Sequence, residues 1–192
     1  MKKEWIQLMI ENETLKLKFT DLLIHYSIVI FLLLPFVLSL FSFVQKYILH
    51  NYKGVRSPEE MFLATLPFGI IAIAFYFIQR NKLKFKTVET NLSKDKIKEI
   101  IEQTAEELEW YPEIINERII IAKTHPKWWT GSWGEQITIV FDKSRLMINS
   151  ICDPNKKTSV VSMGRNRKNV NTLIENIKIA NLNSSLTQHY HT

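Results

Sequence analysis

Residues 22–44 read LLIHYSIVIFLLLPFVLSLFSFV, and this run decides the fold: 23 positions pass without one Asp, Glu, Lys or Arg. At a rise of about 1.5 Å per residue it makes a helix of roughly 34 Å, enough to cross a hydrocarbon core of about 30 Å. Seventeen of its residues are Leu, Ile, Phe or Val, each worth about −0.3 to −0.6 kcal/mol near the bilayer centre, while Pro35, three serines and His25 subtract. Residues 61–78, MFLATLPFGIIAIAFYFI, form a second charge-free run of 18, roughly 27 Å as a helix. Pro67 and Gly69 weaken it, and its ends rest on Tyr76 and its neighbours lying at the interface. Neither run has the polar stripe of an amphipathic soluble helix. The first is also too long for a secretory signal peptide, whose apolar core is about 7 to 15 residues, and it follows 21 residues, half of them polar or charged. It is expected to stay in the mature chain.

Orientation follows from Lys and Arg beside the two runs. Lys2, Lys3, Lys16 and Lys18 precede the first, and Arg80, Lys82, Lys84, Lys86, Lys94, Lys96 and Lys98 follow the second, against only Lys46, Lys53 and Arg56 in the connection. The expected layout is a cytoplasmic segment 1–21, spans 22–44 and 61–78 joined by an external loop 45–60, a cytoplasmic domain 79–180 and a flexible tail 181–192. Both termini then lie on the cytoplasmic side of the inner (plasma) membrane, where the single cysteine, Cys152, stays reduced. One cysteine excludes an intrachain disulfide and a four-cysteine zinc site. Pro35 and Pro67 can open kinks, but no Asp, Glu, Lys or Arg accompanies them at depth, so an anchor is favoured over a solute pathway.

Beyond the spans the pattern changes. Asn91 or Ser93 can cap a helix to about Glu109, with Ile97, Ile100, Ile101, Ala105 and Leu108 on one face. A period of two follows in Arg118–Lys123, Glu135–Phe141 and Arg145–Ile151, the last two joined by the short turn Asp142-Lys143-Ser144, with Thr158–Met163 a further candidate strand. A final helix over Asn166–Ile179 has Val170, Leu173, Ile174 and Ile177 on one face. The predicted class is α+β: a two-helix transmembrane hairpin, then a small antiparallel meander packed with two helices. Leu15-Lys16-Leu17-Lys18-Phe19-Thr20 and Lys82-Leu83-Lys84-Phe85-Lys86-Thr87 both alternate apolar with basic. They either pair as strands with Lys toward lipid headgroups or are helix ends with snorkelling lysines.

Two segments stand out chemically. His125-Pro126-Lys127-Trp128-Trp129-Thr130-Gly131-Ser132-Trp133-Gly134-Glu135 holds three of the five Trp. It is either a strand connection whose rings cover the meander, the favoured reading, or a loop in which Trp128, Trp129 and Trp133 meet the membrane interface or an apolar ligand. Gly164-Arg165-Asn166-Arg167-Lys168-Asn169 opens the last helix with three cations, which oppose the helix dipole unless an anion joins them. Arg165, Arg167 and Lys168 are therefore candidate anion ligands beside the free amides, the plainer reading being an Asn166 cap with solvated or Glu-paired cations. A Ser132, His125, Asp142 triad lacks the flanking pattern of a nucleophile elbow, and Cys152 has no electropositive neighbour in sequence. The five histidines offer no paired ligand spacing on a predicted helix, so neither metal nor cofactor is expected.

The segments Ser132-Trp133-Gly134-Glu135, Asn149-Ser150-Ile151-Cys152-Asp153-Pro154 and Gly164 to Asn169 resemble a family of uncharacterised bacterial two-span membrane proteins with a C-terminal cytoplasmic α/β domain. The resemblance spans roughly Trp110 to Ile179 and implies fold and location alone. The layout also resembles membrane-anchored bacterial pleckstrin-homology-like proteins, from which the helix ahead of the strands departs. Residues 80–192 carry 18 Lys and Arg against 13 Asp and Glu. The expectation is a non-enzymatic binding or assembly module whose partners are the bilayer, anionic headgroups, a protein or a second copy, with no nucleic acid. The alternative is a membrane-proximal enzyme with its site near the Trp-rich loop.

Overall fold

The computed structural model describes residues 3–127, 133–156 and 162–189, with side chains followed as far as Leu186. The chain divides into two compact units, residues 19–81 and residues 1–18 together with 82–192.

The first unit contains α2 (Phe19–His25), α3 (Ser27–Phe43) running on into a π-helical turn at Val44–Ile48, and most of α4 (Pro58–Lys82). Ser27–Ile48 and Pro58–Lys82 are long and apolar enough to cross a membrane. The first run does not begin as a single helix at Leu22. Tyr26, at φ −97° and ψ 6°, separates α2 from α3. Between the helices the buried side chains are small or polar: Ser39, Ser42, Ala72, His25 and Gln79. Thr65 Oγ1 donates to Ser39 Oγ at 2.8 Å, and a Cβ on Gly69 would come within 2.9 Å of the Phe36 ring. Gln79 Nε2 donates to the His25 carbonyl at 2.7 Å while His25 Nε2 meets the Gln79 carbonyl at 3.1 Å. The large apolar side chains point out, Phe31 being 72 % exposed, Leu63 71 % and Ile70 61 %. Close approach through small residues, polar pairing inside and hydrocarbon outside is how helices pack in lipid, where burying Leu against Leu gains little.

The second unit is a five-stranded antiparallel sheet in the order β1-β5-β4-β3-β2, formed by β1 (Lys86–Glu89), β2 (Trp110–Ile115), β3 (Ile119–Thr124), β4 (Glu135–Asp142) and β5 (Arg145–Cys152). Helices α5 (Lys94–Glu107) and α6 (Arg165–His189) cover one face. Ser93 caps α5, its hydroxyl accepting from Lys96 N at 3.3 Å. The helix presents Ile97, Ile100, Ile101 and Ala105 to Ile120, Ile137, Ile139 and Ile148 of the sheet, with Val170, Leu173 and Ile177 of α6 completing the core. The Asp142–Arg145 turn is a two-residue connection in which Lys143 takes φ +51°.

Three features depart from the sequence expectations. Trp110–Ile115 is a strand, paired with β3 through a bulge around Pro112 and Ile114. It is an edge strand exposed along most of its length, whereas the inner strands β3, β4 and β5 are buried almost throughout. The helix α6 continues to His189, through the segment expected to be a loose tail. Residues 1–18 belong to the sheet unit rather than forming a separate segment: α1 (Lys3–Asn12) contacts β4 and buries Ile6 and Met9. Of the two apolar–basic repeats only the start of the first meets the second: an isolated bridge joins Thr14, just ahead of the first repeat, to Lys84, with Leu15 N donating to Leu83 O at 2.8 Å and Phe85 N to Glu13 O at 2.9 Å, while Phe19 and Thr20 already belong to α2. Leu15, Leu83 and Phe85 are buried while Lys16, Lys84 and Lys86 are exposed. The candidate strand at Thr158–Met163 falls largely outside the described residues.

Candidate functional site

The polar chemistry of the sheet unit gathers at one end, where β3 ends, β4 begins, β5 ends and α6 begins. The register identifies it. Lys86 lies opposite Ile148, so the chain preceding β1 runs beside residues 149–152, and Asn149 Nδ2 donates at 2.8 Å to both Lys82 O and Lys84 O. This is the end at which the chain enters the sheet from Lys82.

Glu135 is fully buried there. Its carboxylate accepts from Thr124 Oγ1 and pairs with Arg165 at 3.2 Å, and its own amide donates to Thr124 Oγ1 at 2.8 Å. On the other side of the sheet Lys123 is held by Glu113 at 3.0 Å and by the buried Asp153 at 3.6 Å. The enclosed members are Lys123, Asp153 and Glu135, while Glu113 and Arg165 reach solvent; removing Lys123 or Arg165 would leave a desolvated carboxylate without its cation. A chain of hydrogen bonds runs from Trp110 Nε1 to Asn169 (3.2 Å), Asn169 to Ser150 Oγ (3.2 Å) and Ser150 to Asn166 Oδ1 (3.0 Å), with Asn166 Nδ2 lying 3.9 Å from Cys152 Sγ. It ties the first turns of α6 to the sheet.

Asp153 also organises the next turn. Its amide donates to Gly134 O at 2.9 Å, its carboxylate accepts from Asn155 N at 2.9 Å, and its carbonyl accepts from Lys156 N at 3.1 Å. Lys156 is thereby directed across Gly134, its ammonium reaching His125 Nδ1 at 2.9 Å and Thr124 O at 3.4 Å. The His125 ring lies 5.2 Å from that of Tyr111. Gly134 has φ +121°, and a Cβ there would stand 2.7 Å from Thr124 O and 2.9 Å from Lys156 Nζ, so both conformation and space require glycine.

The residues singled out in the sequence are distributed as follows. Arg165 turns inward to Glu135, while Arg167 and Lys168 are exposed. The buried carboxylate supplies the negative partner that a cation at a helix start demands. Asn166 does not cap α6. It sits in the first turn with its side chain on Ser150 and Cys152, and its backbone amide donates to Ser162 Oγ at 3.4 Å. Trp133 is 46 % exposed, whereas Trp128, Trp129 and Ser132 lie outside the described residues. Asp142 is at the opposite end of the sheet from His125, bound to Arg145 at 2.6 Å. Arg145 also pairs with Glu13 at 2.9 Å, and its guanidinium is pushed upward in pKa by Asp142 and then by Glu13. Cys152 and His125 share an end of the sheet but stand two strands apart, roughly 10 Å. Among the described residues no group of three or more His, Cys, Asp or Glu is arranged to hold a metal ion. Sequence reasoning missed Lys123, Glu135, Asp153 and Lys156. A charged residue at the end of an otherwise apolar strand was the signal for the first two.

The chain matches no protein-family model, no curated protein and no solved structure.

Proposed function

We propose that this protein is a two-span membrane-anchored binding module, not an enzyme, whose sheet unit lies in the cytoplasm and whose polar sheet end meets anionic headgroups. The observation that carries this reading is the Thr14–Lys84 bridge. Chain that leaves the sheet unit after Lys18 must return by Leu83 to the same compartment, so the number of membrane crossings between them is even. The Lys and Arg excess beside both crossings favours the cytoplasmic side. The exposed Lys16, Lys18, Lys84 and Lys86 flank the crossings, and each basic group near an anionic surface contributes about 1 kcal/mol of attraction. Trp133, Arg167 and Lys168 add an exposed aromatic and two cations at the sheet end that the chain enters from Lys82.

Arg165, turned to Glu135, leaves Arg167 and Lys168 as the ligands of any anion at the start of α6. The catalytic alternative has less behind it: His125 and Asp142 are at opposite ends of the sheet, and Cys152 is engaged by a neutral amide. The test is compartment labelling in intact cells. A cysteine replacing Asn51, in a Cys152→Ser background, is expected to react with an impermeant thiol reagent, while tags at either terminus stay shielded. Reaction at a terminus with protection at position 51 would overturn the orientation.

A further inference from the structure

We propose that Lys156 and His125 form a specific binding site for a phosphate group, with a lipid phosphate monoester as its source. The choice of lipid rests on the membrane-facing reading above; the phosphate chemistry does not. Most charges at this end of the sheet already have partners of opposite sign. Glu113 and Asp153 are engaged by Lys123, and Glu135 by Arg165. Lys156 is different. Its ammonium is held by a backbone carbonyl and an imidazole nitrogen, both neutral, and among the described residues no carboxylate lies within 4.0 Å of it. The position is nevertheless built, since the Asp153 turn aims the side chain and only glycine at position 134 leaves room for it.

The hydrogen-bond roles then follow from elementary chemistry. An ammonium only donates, so His125 Nδ1 must accept and the ring proton must sit on Nε2. Thr124 O and His125 Nδ1 take two of the three ammonium hydrogens. The pair therefore offers one Lys156 N–H and the His125 Nε2–H, both donors, carried on a net positive charge. Tyr111 packs beside the imidazole and restricts its rotation. A surface presenting only donors and positive charge selects an oxyanion, and charge-assisted bonds to phosphate oxygens are the strong kind. Two exposed cations at the start of α6, Arg167 and Lys168, raise the positive potential of the same end.

The experiment uses the full chain in phosphatidylcholine nanodiscs, with inorganic phosphate as the first probe, read by the ring nitrogen resonances of His125 and, for every variant including those without the ring, by the broadening of the 31P resonance of the added phosphate. Phosphate is expected to shift His125 Nε2. Lys156→Met is expected to weaken binding about tenfold or more, through loss of the charge-assisted bond. His125→Ala should weaken it similarly, whereas His125→Gln, whose amide both accepts and donates, should retain most of it. Thermal melting of each variant reports that the fold is intact. Nanodiscs containing phosphatidic acid, a monoester, are then compared with nanodiscs containing phosphatidylglycerol, a diester. Preference for phosphatidic acid that disappears in Lys156→Met supports the whole proposal. A response to inorganic phosphate with none to phosphatidic acid keeps the site and overturns the lipid source. No response to phosphate, with equal effects of the two lipids unaltered by Lys156→Met, overturns the site and leaves the general attraction to anionic membranes standing.

Discussion

The two units bury opposite kinds of residue. In α3 and α4 the enclosed positions are Ser39, Ser42, Pro58, Gly69, Ala72 and Gln79, and most Leu, Ile and Phe side chains face outward. In the sheet unit Ile119, Ile137, Ile139, Met147 and Ile148 are fully enclosed, and Lys and Glu cover the outside. The same alphabet gives both because the surroundings differ. In water, enclosing apolar area drives folding at about 25 cal/mol per Å². In hydrocarbon that term vanishes between helices, leaving close packing and a few hydrogen bonds. The contrast teaches that mean hydropathy, which is −0.07 over the whole chain, describes neither unit.

The contrast can be broken most forcefully by matched truncations. Ile139→Ala, at a position with no exposure, is expected to cost about 2–5 kcal/mol in denaturant or thermal unfolding. Leu63→Ala, exposed in the first unit, should change the stability of the nanodisc-embedded chain by less than about 0.5 kcal/mol. Equal losses would mean that α4 is a soluble-type core helix. A second measurement sharpens the polar side of the sheet unit. Arg165→Ala strands the Glu135 carboxylate, and a loss of about 3 kcal/mol is expected. Adding Glu135→Gln should restore much of it. If the single variant melts like the parent, the pair is not the anchor of α6. The smallest effect belongs to the hairpin: Thr65→Ala removes the 2.8 Å bond to Ser39, and such bonds in lipid average about 0.6 kcal/mol. A loss of several kcal/mol in forced or denaturant unfolding of the embedded hairpin would show that polar pairing, rather than small-residue packing, holds the two helices.

Most of the secondary structure was legible because its signals are local. The charge-free runs mark α3 and α4, the spacing of Ile97, Ile100 and Ile101 marks α5, and β-branched alternation marks β3, β4 and β5. The structure adds what local pattern cannot carry. Edge strand β2 is rich in the strand formers Trp, Tyr and Ile, but Pro112 interrupts the run and its exposed side chains leave no buried face to mark it. Helix α1 is ten residues long, and its packing partner, β4, begins more than a hundred positions later. The Trp- and Gly-rich segment drew attention through composition, and the contacts described in it are those of His125, Gly134 and Glu135. His125 and Lys156 are 31 positions apart, and three antiparallel strands bring them together. Arg165 was legible as a cation at a helix start, but its partner Glu135 was not, since their meeting depends on where α6 lands.

The Thr14–Lys84 bridge also dictates an order of events during synthesis. Residues 13–15 leave the ribosome long before 83–85, so α1 has no strand to rest on until the whole hydrophobic hairpin has been made. Joining ends 70 positions apart through a floppy chain would cost about 4 kcal/mol in closure entropy. A hairpin of α3 and α4 that forms first brings those ends together beforehand and removes most of that cost. Completion of the sheet unit is thus coupled to formation of the hairpin. A fragment expressed from Leu83 onward would lack Ile6, Met9 and Leu15, three of the buried side chains of its own domain.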